Sequence, residues 1–498
     1  MADPMIRLRA DTMKEADVAR FVATFDAIDG DGIPVRARVR HVRGGVGGGV
    51  IEVDVPQGPG RSAAPPVVIR GLCPSGSVGC LLQSTCLLPP GAGEQSLMLE
   101  CARARLKDFL RVGEDWQFFD DPAAQDAISQ FDRARTAFTA AMLAGRGGDR
   151  EAIALQSMEL AVDAGERLAS AYAVQTIERR SPKVLPTLGC VADLGESDAN
   201  AIQAIVQQAK AEGATLRIGV PRSVVNRGAT PDFTVVDRWV TAAFKSRVPI
   251  LMGPLWECRD PAQAGLDAAA LSDWVDAVVR RYGSGVAQWI VASDVERGHA
   301  GGASLESRLA ITRRLSNQVR TLLPRAIVAI ESTAPWGDRL DGRAGAPIVR
   351  TAMKLLDDSA PIHRLVVSLS ASGHSPQRDL LQLAGILDSL RKVKVPLIVT
   401  LAVPSSMGAV AGGADAGWWR KPWSAAVADA YAARAVAVIL SRPWVSGVCV
   451  DGTAGHASFA MVASHVQRVR RRLAKQSAAA GAERSSLPAA GDGAESSE

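Results

Sequence analysis

Between Lys183 and Val450, eight short apolar segments alternate with amphipathic stretches of helical period, and no other feature of the sequence restricts the fold as strongly. The segments are 185–192, 215–220, 249–255, 286–292, 327–330, 365–369, 396–403 and 445–450. Runs that are apolar throughout suit strands buried on both faces, the condition of a parallel sheet covered by helices. Eight such β/α units in succession predict an α/β fold, a closed TIM (β/α)8 barrel. An open doubly wound sheet is the alternative, and the lack of a G-x-G-x-x-G turn after an early strand counts against it.

The flanks read differently. Residues 1–92 read as a β-rich accessory domain, with candidate strands at 5–9, 34–41, 50–55, 66–70 and 79–88. Residues 93–182 read as a helical segment. Leu97, Leu99, Ala102, Leu106 and Leu110 recur at near-helical spacing, as do Ile128, Phe131, Ala134, Phe138 and Met142, and Gly147 and Gly148 precede a third helix. The barrel is expected over 183–475. The last stretch, 476–498, has almost no large apolar side chains and is expected to be a disordered tail.

Composition removes several function classes. The net charge of +5 is small for 498 residues. The one basic cluster, Arg468, Arg470, Arg471, Arg472 and Lys475, closes the last helical segment, where cations complement the helix dipole. No nucleic-acid partner is expected. None of the seven cysteines is in C-x-x-C spacing, and the six histidines make no H-x-x-x-H or H-E-x-x-H pattern, so no metal and no cofactor are expected. Reduced, buried thiols are the default, although Cys73, Cys80 and Cys86 could pair in an oxidising compartment. The N-terminus carries no apolar signal-peptide core, and no run of about 18 apolar residues is present. A cytoplasmic chain without a membrane partner is the expectation; the oligomeric state stays open.

Chemistry in barrel proteins gathers at the C-terminal ends of the strands. Here those ends carry Trp256 and Glu257 after strand three, Asp294 and Glu296 after strand four, and Glu331, Trp336 and Asp338 after strand five. Trp418, Trp419 and Trp423 follow strand seven, and Asp451 follows strand eight. Nine of the ten tryptophans lie in the barrel, and five of those fall in these loops, where large apolar surface is costly in water. Indoles stack on the apolar faces of sugar rings, and carboxylates accept hydrogen bonds from hydroxyls. The pattern therefore suits a carbohydrate ligand, with Asp294 and Glu296 as candidate catalytic acids. Trp256, Glu257, Glu331, Trp336, Trp418, Trp419, Trp423 and Asp451 are candidate substrate-binding residues. The alternative is that the tryptophans cap the barrel core. Glycoside hydrolysis with retention needs two carboxyl groups about 5.5 Å apart across the scissile bond. Strand seven, opposite strand four, ends on Thr400, Leu401, Ala402 and Val403, with no carboxylate.

Over roughly 185–455 the sequence resembles glycoside hydrolase family 10, the retaining endo-β-1,4-xylanases. Met252-Gly253-Pro254-Leu255-Trp256 falls where the family reads R-G-H-T-L-x-W-H, with Pro254 in place of a sugar-binding histidine. Trp289-Ile290-Val291-Ala292-Ser293-Asp294 occupies W-D-V-V-N-E, with Asp294 where the family has its acid/base glutamate. Ile398 to Val403 aligns with I-T-E-L-D-V through its threonine, which puts Leu401 where the nucleophile belongs. The sixth-strand Q-x-H becomes Ser370-Ala371-Ser372, with His374 displaced. The whole chain is more similar to a degenerate, planctomycete-type group of this family, through Glu100, Ala102, Arg103, Trp116, Pro335-Trp336-Gly337 and the strand-seven run to Ser406. The resemblance implies a xylan-type, β-linked polysaccharide or oligosaccharide ligand. With leucine at 401 it implies binding without standard retaining hydrolysis; an active glycosidase with a relocated carboxylate pair is the alternative. A barrel enzyme of unrelated chemistry also remains open.

Overall fold

The computed structural model of the chain describes all residues except 1–4, 43–48, 57–63, 146–147, 222–231, 261–267, 298–301, 338–346, 370–374, 410–415, 455–456 and 487–498. The expectations that fell on Asp338, on Ser370 to Ser372 and on His374 lie outside the described residues.

The chain opens with β1 (Met5–Arg9), α1 (Glu15–Ala23), β2 (Asp26–Ile28), β3 (Arg38–Val42), β4 (Val50–Asp54), β5 (Val68–Ser75), β6 (Gly79–Ser84) and β7 (Glu94–Ser96). In β1 and β4 the buried residues alternate, Ile6 and Leu8 against Ile51 and Val53, the period of a sheet with one covered face. These strands form a sheet in the order β3-β4-β1-β7, while β2, β5 and β6 belong to a second sheet. Helix α1 is absent from the sequence reading. It buries only Val18 and Phe21, too short a stripe to stand out by periodicity.

Three helices follow, α2 (Leu97–Asp115), α3 (Gln125–Leu143) and α4 (Gly148–Arg179). Ser96 caps α2 by accepting from the Leu99 amide at 3.1 Å. The apolar stripes meet through Phe109 and Phe131, whose rings stack at 4.4 Å.

The rest of the chain alternates: β8 (Thr187–Val191), α5 (Ala199–Ala211), β9 (Ala214–Ile218), α6 (Thr234–Ser246), β10 (Ile250–Met252), β11 (Trp256–Glu257), α7 (Ala268–Tyr282), β12 (Gln288–Ser293) and α8 (Leu305–Leu322). Then come β13 (Ile327–Ser332), α9 (Ile348–Asp357), β14 (Arg364–Ser368), α10 (Leu380–Leu390), β15 (Leu397–Leu401), β16 (Trp418–Trp419), α11 (Ala425–Leu440), β17 (Val445–Val450) and α12 (Ala457–Ser486). Every pairing between the barrel strands is parallel, and a β10–β12 pairing closes the ring. This is the TIM (β/α)8 barrel that the eightfold alternation predicts. β10 and β11 are two halves of the third strand. The chain leaves the sheet between them at Gly253, whose φ is +118° and where a Cβ would lie 2.2 Å from the Ile290 carbonyl oxygen.

Two apolar clusters divide the barrel. Leu251, Ile290, Ala329, Val366, Ile398 and Cys449, one from each of strands three to eight, form a layer inside it. Leu397, Val399 and Leu401 instead join the larger core shared with the helices. Side chains alternate along a strand, so Thr400 lies on the inward face with Ile398, and Leu401 faces out.

β16 is the unexpected element. It leaves the barrel after strand seven and pairs antiparallel with β6, Trp418 opposite Cys80 and Trp419 opposite Gly79. The Gln377 amide donates to Ala416 O at 2.7 Å, and the Leu82 amide to Gln377 O at 2.8 Å. The loops after strands six and seven are thus tied to the N-terminal sheet. At the other end α12 continues to Ser486, past Lys475, because the Ala-rich run that follows has strong helix propensity.

Candidate functional site

Carboxylates converge where strands three, four and five end. Asp294 stands just past β12 in a left-handed conformation, φ +53°, which redirects its side chain from the strand alternation. Its amide donates to Glu331 O at 2.9 Å. Its carboxylate accepts from the Thr333 amide at 2.7 Å and from Thr333 Oγ1 at 2.8 Å, and Arg259 approaches to 3.8 Å. Asp294 is therefore held in one position, with only 3% of its surface exposed. A non-glycine residue in this backbone conformation is held there by its surroundings.

Glu331 faces inward on β13 and meets Arg217 of β9 in a bidentate pair, 2.7 and 2.8 Å. Burial raises the Glu331 carboxyl, and the guanidinium opposes that rise. Glu296 lies deeper. Ser332 Oγ donates to one of its oxygens, and the other is buried without a partner among the described residues. Burial, reinforced by the Asp294 charge, pushes its carboxyl up to about 8. Glu257 on β11 is half-buried, and its carboxyl is raised by burial and then by the charges of Asp260 and Glu331. Asp451, past β17, is exposed, and its charge acts on Arg217.

The fold thus brings Glu257, Asp294, Glu296 and Glu331 together, with Asp451 on the adjoining side. It does not add the indoles of the seventh loop to them. Trp419 is buried and donates from Nε1 to Glu166 of α4 at 2.6 Å; Trp423 is buried and donates to Gly417 O at 3.2 Å. The expectation of a ligand platform is corrected for these two, whose rings are packed inside the protein. Trp418 is half-buried beside Arg20, 5.6 Å from the ring centroid, at the junction with the N-terminal sheet. Trp256 is buried in the core. Trp336 is half-buried and carries the Arg378 guanidinium 4.1 Å above its ring.

The strand-seven assignment is corrected as well. Leu401 is fully buried among the helix-facing residues, so it cannot mark an inward nucleophile position. The inward position is Thr400, whose hydroxyl is buried without a partner among the described residues. The charged half of the mouth therefore faces no carboxylate from strand seven.

Sequence reasoning passed over Arg217, Thr333, Ser332 and Arg259. Arg217 had a signal: a lone cation between Leu216 and Ile218 in an apolar strand must find a buried partner. The hydroxyls of Ser332 and Thr333 have no distinguishing pattern. Among the described residues no group of three or more metal-ligating side chains occurs, and no helix is long and apolar enough to cross a membrane.

No family model matches the chain, and neither does any curated protein. Solved structures similar to it include a psychrophilic glycoside hydrolase family 10 endo-beta-1,4-xylanase, at 11% identity and a TM-score of 0.40, covering 54% of this chain and 86% of that one. The Thermobacillus composti GH10 xylanase is similar at 12% identity and 0.41, covering 56% and 96%. A thermostable mutant of the Xyn10A xylanase from Cellvibrio japonicus is similar at 16% and 0.39, covering 54% and 86%. At such identities and scores nothing about chemistry follows from the likeness.

Proposed function

We propose that this chain is a family 10-like barrel that binds a β-linked, xylan-type oligosaccharide or polysaccharide at the ends of strands three to five, without retaining hydrolysis. The observation that carries the reading is the end of strand seven, where Thr400 faces inward and Leu401 outward, so strand seven itself places no carboxylate across the mouth from Asp294 among the described residues. Retaining hydrolysis requires that second carboxylate. Glu331 does not replace it, being engaged by Arg217, nor does Glu296, being buried under Ser332. What supports binding is the set of carboxylates at these strand ends, the held Asp294 and the half-buried Glu257 foremost.

The test is calorimetric titration of the protein with soluble xylan and xylo-oligosaccharides, together with a reducing-end assay. Binding is expected, weakened about tenfold or more in Asp294→Ala, a change of about 1.4 kcal/mol. No release of reducing ends above background is expected. A folded protein that binds none of these sugars overturns the reading. A second reading, a glycosidase with a relocated pair, is favoured by Glu257, which combines a raised carboxyl with solvent access next to Asp294. Turnover at ordinary enzyme rates, abolished by Glu257→Gln or Asp294→Ala, selects it.

A further inference from the structure

A large cavity in the described residues is at the other end of the barrel. It measures about 1050 Å³ and lies between α2, α4 and α10 and the starts of β8, β15 and β17. A second cavity of about 250 Å³ shares Arg111, Val112, Gly385 and Ser389 with it and reaches Trp336 and Arg378. The two form one groove along α10.

Its walls are cationic. Six lining side chains of the larger cavity carry positive charge, Arg111, Arg180, Arg391, Lys392, Lys394 and Arg442, against two acids, Asp115 and Asp388. Both acids are already engaged: Asp115 by Arg111 at 3.3 Å, and Asp388 by Arg442 at 3.1 Å and by the Trp116 indole at 2.9 Å. Arg180 donates to the carbonyls of Leu440, Arg442 and Pro443 at the end of α11, a capping role. That leaves Arg391, Lys392 and Lys394 on one rim, all exposed and with no carboxylate partner among the described residues. The aromatic rings in the walls are engaged too. Trp116 stacks on Tyr172 at 4.1 Å, and Arg391 lies 5.4 Å from the Trp444 ring centroid. The groove therefore offers positive charge rather than free ring faces.

Gly385 gives an independent observation. It sits inside α10, where glycine is the least favourable residue after proline. A Cβ built there would meet nothing within 4 Å. The absent side chain leaves the groove floor open at the point where its two parts join. At the underside of a barrel, side chains ordinarily serve stability. An unbalanced cationic rim around open volume of ligand size does not serve it.

We propose that this groove binds a multivalent oxyanion, a small molecule carrying two or more phosphate or carboxylate groups. Guanidinium and ammonium groups recognise both through charge-assisted hydrogen bonds. The larger cavity is at the upper end of the size of small-molecule sites, and the engaged rings leave no stacking platform of the kind single-stranded nucleic acid uses.

The experiment is calorimetric titration of the full-length protein at low ionic strength with pyrophosphate and, separately, with citrate. At least one is expected to bind with a Kd below about 1 mM, and the pair distinguishes phosphate from carboxylate. Two variants act on different features of the groove. Lys392→Glu with Lys394→Glu reverses the free rim charge, and Gly385→Leu fills the floor without touching a cation. Each is expected to weaken binding about tenfold or more in a protein that stays folded, with Gly385→Leu melting no lower than the parent because leucine replaces glycine within α10, and to leave xylan binding as in the parent protein. Failure of both probes to bind overturns the proposal, as does parental affinity in both variants. A short single-stranded oligonucleotide that binds more tightly than either probe, and is lost in the same variants, assigns the groove to nucleic acid and overturns the small-anion reading.

Discussion

The two halves of the barrel mouth are built differently. Strands three to five end on Glu257, Asp294, Glu296 and Glu331, each restrained by burial, hydrogen bonds or an ion pair. The loops after strands six and seven end in attachment. β16 adds to the N-terminal sheet, and Arg420 beside it reaches Glu166 at 2.5 Å and Asp163 at 2.6 Å on α4. Indoles follow strands in both halves, yet Trp336 after strand five stays half-buried under Arg378, while Trp419 and Trp423 are buried in the junction. The difference teaches that strand-end loops rich in tryptophan can serve docking as readily as ligand binding. The distinction rests on whether each indole is buried against another part of the chain.

The sharpest way to break this comparison is to place a carboxylate on each face of strand seven. Leu401→Glu puts a charge among apolar side chains that exclude water, and is expected to cost about 5 kcal/mol or more, so that little folded protein accumulates. Thr400→Glu points the same group into the mouth and is expected to cost less than half of that. Urea denaturation of the two variants checks the register, and equal losses would contradict it.

On the charged half, Arg217→Ala leaves Glu331 buried without its cation and is expected to cost about 3–5 kcal/mol. Replacing both partners, Arg217→Met with Glu331→Leu, is expected to recover most of that loss. A double variant no more stable than the single one would mean that the pair is not an isolated unit.

The smallest effect is a pH dependence from Glu296. Its carboxyl titrates near 4.5 in the unfolded chain and at about 8 in the fold. Below the lower value both states are protonated, and the group contributes nothing to the difference. As pH rises between the two values only the unfolded state loses the proton, so stability falls, and above the upper value the full penalty remains. Between pH 5 and 7 this amounts to about 2–3 kcal/mol. Thermal melts across that window are expected to show the decline in the parent protein and a smaller one in Glu296→Gln, the remainder coming from other raised carboxyls such as Glu331 and Glu257.

Much of the fold is legible in the amino-acid order, because both-face burial in a parallel sheet forces long apolar runs such as Leu397 to Leu401. The candidate acids are legible for a related reason: a carboxylate directly after such a run has to sit at a strand end. The face of strand seven was not. The alignment placed Leu401 inward, and a shift of one residue exchanges the two faces of a strand. The docking of Trp418 and Trp419 was equally hidden, since a two-residue strand has no period to detect and its partner, Gly79 to Cys80, is far away in sequence.

The sequence by itself determined the eightfold alternation, the crowding of carboxylates after strands three to five, and the lack of any acid from Thr400 to Val403. These follow from local order, because hydrophobic period and residue type are properties of consecutive positions. Only the tertiary structure decided that Thr400 faces inward, that Arg217 neutralises Glu331, that Glu166 takes the Trp419 indole, and that Gly385 opens a cationic groove. Each of these depends on which surfaces meet when the barrel closes and the N-terminal region packs on it. Closure joins residues tens to hundreds of positions apart, as with Glu166 and Trp419, and no local pattern records those meetings.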